Sequence, residues 1–199
     1  MPPPTRAAAA RPAGEVRLIA GRYRRRKLLV ADAPGLRPTP ERVRGTLFNW
    51  LGQDLSGWRV LDAFAGSGAL GFEAASRGAT EVLLLETDAA LARLLGSARQ
   101  TLGAAEVRVE RADAWLWMAR GPHAQFDLVL LDPPFGADRF VEALALAVPL
   151  LAPAGLIYLE ADRCFEAEPA VAGLGLQLWR HTRAGAVHAH LLRRAPGDA

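Results

Sequence analysis

A single cysteine, Cys164, stands in 199 residues. One thiol excludes an internal disulfide framework and a cysteine-rich zinc cluster, and it fits a reducing compartment. No apolar run nears the roughly 20 residues that span a bilayer. Residues 1–14 are rich in Pro, Ala and Arg and have no apolar core segment. They read as the flexible tail of a cytoplasmic protein, not as a secretory signal. Repeats of 20–50 residues are not visible either. Lysine is almost missing: of 24 basic residues only Lys27 is lysine. Together with the alanine richness this fits a coding bias, so arginine usage alone is no argument for phosphate binding.

What is present is globular. Hydrophobic residues make up 51% and charged residues 23%, enough for a core, and the length suits one domain with a small appendage. The net charge of +3 hides an asymmetry. Residues 1–50 carry eleven basic side chains against three acidic ones, and the other 149 carry thirteen against eighteen. A segment of +8 beside a body of −5 suggests an N-terminal face turned toward a polyanion.

Val16–Gly21 and Arg26–Val30 read as a small hairpin, with the basic run Arg22–Lys27 leading into its second strand. Pro34–Pro40 is a stiff, turn-rich linker. A helix opens at Thr39 or Pro40 and runs to about Leu51, with Val43, Leu47, Phe48 and Leu51 on one face. From Trp58 onward strands and helices alternate. Strands fit at 59–63, 81–86, 106–110, 126–131 and 155–160, and helices at 69–77, 88–102, 112–120 and 138–150. Val82–Leu85 and Leu128–Leu131 are continuous apolar runs, expected where both faces of a parallel sheet are covered. Residues 175–181 and 186–193 read as an antiparallel edge hairpin. The fold class is therefore α/β: a doubly wound, mostly parallel sheet with a basic N-terminal hairpin and helix.

Two motifs carry chemistry. The strand ending in Asp62 runs into Ala63-Phe-Ala-Gly-Ser-Gly-Ala-Leu-Gly71 and a helix, and Glu86 follows Gly66 by twenty residues. Glycines 66, 68 and 71 allow close approach of a ligand, and an acid at that distance suits ribose hydroxyls. The same spacing is the dinucleotide fingerprint, so a nucleoside ligand is expected without its kind being settled. A carboxylate at Asp62 favours a ligand ammonium and repels a pyrophosphate. Asp132-Pro-Pro-Phe135 ends the fourth parallel strand, at the edge where such sheets bind ligands. Two prolines fix an outward carbonyl, and the Asp132 carboxylate and the Phe135 ring stand beside it. That set suits an exocyclic amine on a stacked base.

These motifs resemble those of S-adenosylmethionine-dependent amino methyltransferases. Residues 17–28, Gly35-Leu-Arg-Pro-Thr39 and Arg42–Leu51 narrow the likeness to the bacterial 16S ribosomal RNA guanine-N2 methyltransferases of the RsmD type, over about residues 16–194. The resemblance implies a Rossmann-like class I fold with a seven-stranded sheet and S-adenosylmethionine as cofactor. It implies a basic RNA-binding extension at 15–55 and a methyltransferase domain at 56–195, and it says little of the tail at 1–14, which departs from the family pattern. Asp62, Phe64, Gly66 and Gly68 would line the methionine end of the cofactor, Glu86 its ribose, and Asp113 with Ala114 its adenine. Asp132, Pro133, Pro134 and Phe135 would hold the target guanine for direct methyl transfer. The expected partner is 16S ribosomal RNA in the small subunit or an assembly intermediate, with no membrane and nothing that demands more than a monomer. Gly45 departs from the pattern, which has a larger helix former there.

Arg22, Arg24, Arg25, Arg26 and Lys27 read as an RNA-contacting arm, and Arg37, Arg42 and Arg44 read similarly. Thr39 reads as a helix cap, Glu73 as a helix carboxylate near the glycine loop, and Trp115 and Trp117 as core or pocket lining. His188 and His190 read as surface positions and Cys164 as unreactive, so no metal is expected. Three other readings are an N6-adenine methyltransferase, a nicotinamide oxidoreductase sharing the glycine spacing, and a non-catalytic RNA-binding assembly factor. The oxidoreductase leaves Asp132–Phe135 and the +8 segment without a purpose. The intact acids at 62, 86 and 132 argue against the assembly factor.

Overall fold

The computed structural model describes residues 12–31 and 39–196. Residues 1–11, most of the expected tail, and 32–38, most of the expected linker, lie outside it.

The chain opens with an antiparallel hairpin, β1 (Pro12–Arg17) and β2 (Lys27–Ala31), followed by helix α1 (Glu41–Trp50). Then come β3 (Arg59–Asp62), α2 (Ala69–Ser76), β4 (Glu81–Glu86), α3 (Ala89–Leu102), β5 (Val107–Arg111), α4 (Ala114–Met118) and β6 (Phe126–Leu131). The rest is α5 (Phe140–Ala147), β7 (Leu151–Ala161), α6 (Pro169–Gly173), β8 (Leu176–Ala184) and β9 (Val187–Arg194). Seven strands form one sheet in the order β5-β4-β3-β6-β7-β9-β8, in which only β9 runs against the rest.

Strand side chains alternate between two apolar layers. Val60, Leu84, Leu128 and Leu130 join Phe72 of α2, Leu95 of α3 and Phe48 of α1 on one face. Leu61, Leu85, Val129 and Ile157 join Met118 of α4, Phe140 of α5 and Val171 of α6 on the other. Both sheet faces are covered, which is why the parallel strands read as unbroken apolar runs.

The hairpin and α1 pack on the first face, against α2 and α3. Val16 and Val30 meet Ala69 at the start of α2, while the hairpin turn meets its end: Arg22 N–H donates to the Ser76 carbonyl at 2.6 Å. Gly21 carries φ +76 there, and a Cβ would sit 1.8 Å from the Ser76 oxygen. Buried Glu73 is the polar clasp of this interface. Its carboxylate accepts Ile19 N–H at 2.8 Å and Ala20 N–H at 3.1 Å, and it pairs with Arg77 at 2.8 Å and Arg44 at 3.7 Å. Arg44 therefore does not face RNA. It is 2% exposed and donates to the carbonyls of Thr39 and Arg17, because its helix face is turned inward onto α2. Glu73, too, serves the hairpin and not the glycine loop.

Several element bounds differ from the sequence reading. α4 is a short turn capped by Asp113, whose carboxylate accepts Leu116 N–H at 3.0 Å. α5 starts only at Phe140, since residues 135–137 form a 3-10 turn and Asp138 adopts φ +45. β7 starts at Leu151, four residues early, and α6 is an element the sequence reading lacks.

Candidate functional site

The site lies at the carboxyl edge of the parallel strands, where β3, β4, β6 and β7 end side by side. Asp62 ends β3 and is 2% exposed. Its Oδ2 accepts Gly71 N–H at 3.0 Å, which ties the strand to the first turn of α2. Gly71 is obligatory for that contact: a Cβ would come within 2.2 Å of Leu84 and 3.0 Å of the Asp62 carboxylate. Gly66 and Gly68 both take the left-handed conformation, at φ +51 and +75, and open the loop above Asp62. Glu86 ends β4 beside that loop. Its two oxygens accept Gly66 N–H at 3.0 Å and Asp88 N–H at 2.8 Å. Asp62, Gly66, Gly68 and Glu86 thus gather at one stretch of the sheet's carboxyl edge.

Phe64 leaves the same loop and packs on Trp115 of α4, with ring centroids 5.2 Å apart. The Arg139 guanidinium covers the other partner, 3.7 Å from the Trp115 ring. Asp113 is exposed and Ala114 buried at the start of α4, and Asp113 lines a shallow cavity of about 420 Å³ with Ala112, Leu116, Trp117 and Arg120. The glycine loop, the end of β4 and the start of α4 are contiguous along the sheet edge.

Asp132 follows β6 directly. The β6–β7 register pairs Leu131 with Leu159, which sets Asp132 beside Glu160. Pro133 is buried and Pro134 exposed, and the Pro133 carbonyl meets no hydrogen-bond donor among the described residues. Phe135 is half-buried and meets Phe140 edge-on at 5.8 Å. Asp132, Pro133, Pro134 and Phe135 therefore stand together at one rim, across from the glycine loop.

Glu160 is the site residue that sequence reasoning missed. Its Oε1 accepts from Thr39 at 2.7 Å and from Tyr158 at 2.9 Å. Thr39 is accordingly no helix cap: Pro40 takes the cap position of α1, and the threonine hydroxyl reaches across to β7. The only sequence signal for Glu160 was an acid at the end of an apolar strand.

Three acids, Asp62, Asp132 and Glu160, thus converge with no cationic partner among the described residues. Burial pushes the Asp62 carboxyl up to about 7, and the charges of Glu86 and Glu160 add to the rise that Gly71 N–H and Phe64 N–H oppose. Burial raises Asp132 well above the carboxylate range, with Glu160 and Asp62 adding repulsion. Glu160 is also raised by burial, against its bonds from Thr39 and Tyr158. Desolvated like charges at one edge make a receptor for a cationic ligand.

The basic turn sits elsewhere. Arg22, Arg24, Arg25, Arg26 and Lys27 are exposed, but they lie at the end of α2 away from the glycine loop, about 12 Å along that eight-residue helix. Arg26 donates to the Thr101 carbonyl and Lys27 pairs with Glu15 at 2.5 Å. Buried Tyr23 anchors the turn by donating to Glu106 at 2.7 Å. Arg42 is exposed on the first turn of α1, near Thr39 and hence near the acids; Arg37 lies outside the described residues. His190 is not a surface position. It is fully buried on β9, and it meets His181, His188 and Cys164. No helix among the described residues is long and apolar enough to cross a membrane.

Comparison with known proteins bears on this edge. The family described as "Conserved hypothetical protein 95" matches residues 16–193. "Ribosomal RNA small subunit methyltransferase D" of Escherichia coli is 44% identical over 153 residues, covering 75% of this chain and 76% of that protein. The protein of the same name from Haemophilus influenzae is 44% identical over 155 residues, covering 75% and 80%. The solved structure of yhhF from Escherichia coli covers 92% of this chain and 99% of its own, at 39% identity and a TM-score of 0.81.

Proposed function

The chain belongs to the family described as "Conserved hypothetical protein 95", and from that premise we propose that it methylates 16S ribosomal RNA at the exocyclic N2 amine of a guanine. The donor in this reading is S-adenosylmethionine. The observation that carries it is the set of acids at the sheet edge, buried Asp62 and Glu160 with half-buried Asp132, unpaired by any cation among the described residues and beside the glycine loop. A ligand bearing an ammonium and a sulfonium answers that charge; a dinucleotide pyrophosphate does not. The names of the relatives from Escherichia coli and Haemophilus influenzae supply ribosomal RNA of the small subunit as the substrate.

When bound, the cofactor supplies a methyl group already activated on sulfur. The chain's own work is binding, orientation and charge. Asp62, Phe64, Gly66 and Gly68 hold the methionine end, Glu86 the ribose, and Asp113 and Ala114 the adenine. Phe135 offers a face to an unstacked base, and the buried ring of Pro133 with exposed Pro134 keeps the rim rigid. The guanine amine is a poor nucleophile because its lone pair is delocalised into the ring. Asp132 and the Pro133 carbonyl accept from its two N–H bonds and favour the positive charge it acquires as the new bond forms. No separate strong base is needed, since the amine becomes acidic once alkylated. Glu160 reinforces the negative potential beside Asp132 and is itself held in place by Thr39, so the N-terminal segment completes the site.

The basic residues Arg22, Arg24, Arg25, Arg26, Lys27, Arg37 and Arg42 serve as phosphate contacts in an RNA-binding extension of residues 15–55 joined to a methyltransferase domain of 56–195. In this reading the enzyme works as a monomer in the cytoplasm, on the subunit or its assembly intermediate. The test is incorporation of label from S-adenosylmethionine into unmethylated small-subunit particles. Incorporation into RNA, with binding of S-adenosylmethionine but not of NAD, is the expected result; NAD binding without incorporation would overturn the reading.

A further inference from the structure

The chain holds one cysteine and four histidines, and Cys164 lies with His181, His188 and His190 in one cluster, a ligand atom of each within 4.8 Å of the others. Strand pairing explains the histidines. His181 on β8 pairs directly with His190 on β9, and His188 is two residues from His190, so all three share one sheet face. The rings are stacked, with His181 centred 5.1 Å from His188 and 4.9 Å from His190. Cys164 arrives from the segment after β7, its Sγ 4.0 Å from His181 Nδ1, while His181 Nε2 and His188 Nδ1 stand 2.9 Å apart.

His190 differs from the other two. Its Nε2 accepts Phe165 N–H at 3.1 Å and its Nδ1 donates to the Leu159 carbonyl at 3.2 Å, so both ring nitrogens are engaged. Cys164 and His181 are exposed and His188 is half-buried, with ring nitrogens turned toward one another and not into the core. We propose that Cys164, His181 and His188 bind a divalent transition ion of the zinc class, with His190 as the buried floor of the site.

The spacing suits the ion. A tetrahedral zinc with bonds of about 2.0–2.1 Å to nitrogen and 2.3 Å to sulfur sets N···N at roughly 3.3 Å and N···S at roughly 3.6 Å. The 4.0 Å contact to Cys164 and the 2.9 Å contact to His188 use opposite nitrogens of His181, so an ion takes one of them, and the ligand atoms, which lie within 4.8 Å of one another, must close by up to about 1.5 Å through rotation of these surface side chains. Binding displaces the Cys164 thiol proton to solvent, and the imidazoles donate lone pairs in their neutral form. One thiolate and two imidazoles select zinc, cobalt or copper over magnesium or calcium. Three protein ligands leave a fourth position to water.

The ion would fasten the segment after β7 to the β8–β9 hairpin. Arg163, beside Cys164, pairs with Asp138 at 2.5 Å, just beyond the Asp132–Phe135 rim. The site is thus a brace behind that rim, and it stands whether or not the proposed reaction is correct.

The test is titration of the chelator-treated full chain with Co2+, followed by competition with Zn2+. One equivalent of cobalt should give a near-ultraviolet thiolate-to-metal absorption that Zn2+ abolishes. Cys164→Ser should remove that absorption, His188→Ala should weaken affinity roughly 100-fold, and exposed His123→Ala should change neither. Zn2+ but not Mg2+ should also raise the melting temperature of the unsubstituted chain, a readout that does not depend on any variant folding. Absence of both the absorption and the melting shift, or an absorption that survives Cys164→Ser, would overturn the proposal.

Discussion

Three crowded carboxylates at one edge, two of them buried, destabilise the unliganded fold, and that cost is the handle on their role. The Asp62 carboxyl is raised to about 7, so the folded chain keeps a proton that an unfolded one, with its carboxylate near 4, has already released. Stability therefore falls as pH rises between those values. Asp62→Asn keeps an acceptor for Gly71 N–H and drops the charge. Thermal melts should show the variant gaining on the unsubstituted chain between about pH 4 and pH 7, while its S-adenosylmethionine affinity falls at least about tenfold, the loss of one close charge contact. For the unsubstituted chain, that affinity should climb as pH passes about 7, with proton release on binding, because the ligand's cations take the place of the proton. An affinity that is flat in pH would contradict this charge accounting. Asp132→Ala tests the other half of the rim. It should cut methyl transfer by roughly a hundredfold or more, about what losing one transition-state contact costs, and leave cofactor affinity nearly unchanged.

Elements were legible where one physical signal dominated. Parallel strands covered on both faces gave unbroken apolar runs, so β4 and β6 match the sequence reading residue for residue. α6 has five residues, too few for a helical period to register, and the first turn of α5 is lost to the left-handed Asp138. Glu160 became a site residue only through its register beside Asp132, and the Cys164 cluster only through pairing of β8 with β9; neither pairing has a local signal. Gly45 departs from the family pattern at a point where a Cβ meets nothing within 4 Å, so Gly45→Ala should stabilise the chain by up to about 1 kcal/mol in a denaturant melt. Glu73→Gln should do the opposite. It leaves the buried Arg44 and Arg77 without a counter-charge, and a loss of roughly 3–5 kcal/mol is expected from the same melt.

At the scale of the whole molecule, the N-terminal segment spans both ends of the sheet. Its Thr39 end touches the acids, and its arginine turn lies a helix length away. A base held at Phe135 and a phosphate held at Arg24 would therefore belong to separate parts of the RNA, which suits a structured particle better than a short strand. The Arg22/Arg24/Arg25→Ala variant should lower RNA affinity and reduce the salt dependence of binding by about one unit per lost contact, with cofactor affinity unaltered. The central claim, a guanine N2 amine methylated at the Asp132 rim, is tested most directly by nucleoside analysis of 16S ribosomal RNA after incubation of unmethylated particles with the enzyme and S-adenosylmethionine. N2-methylguanosine that disappears with Asp132→Ala is the predicted result. N6-methyladenosine, or N2-methylguanosine undiminished in that variant, would contradict it.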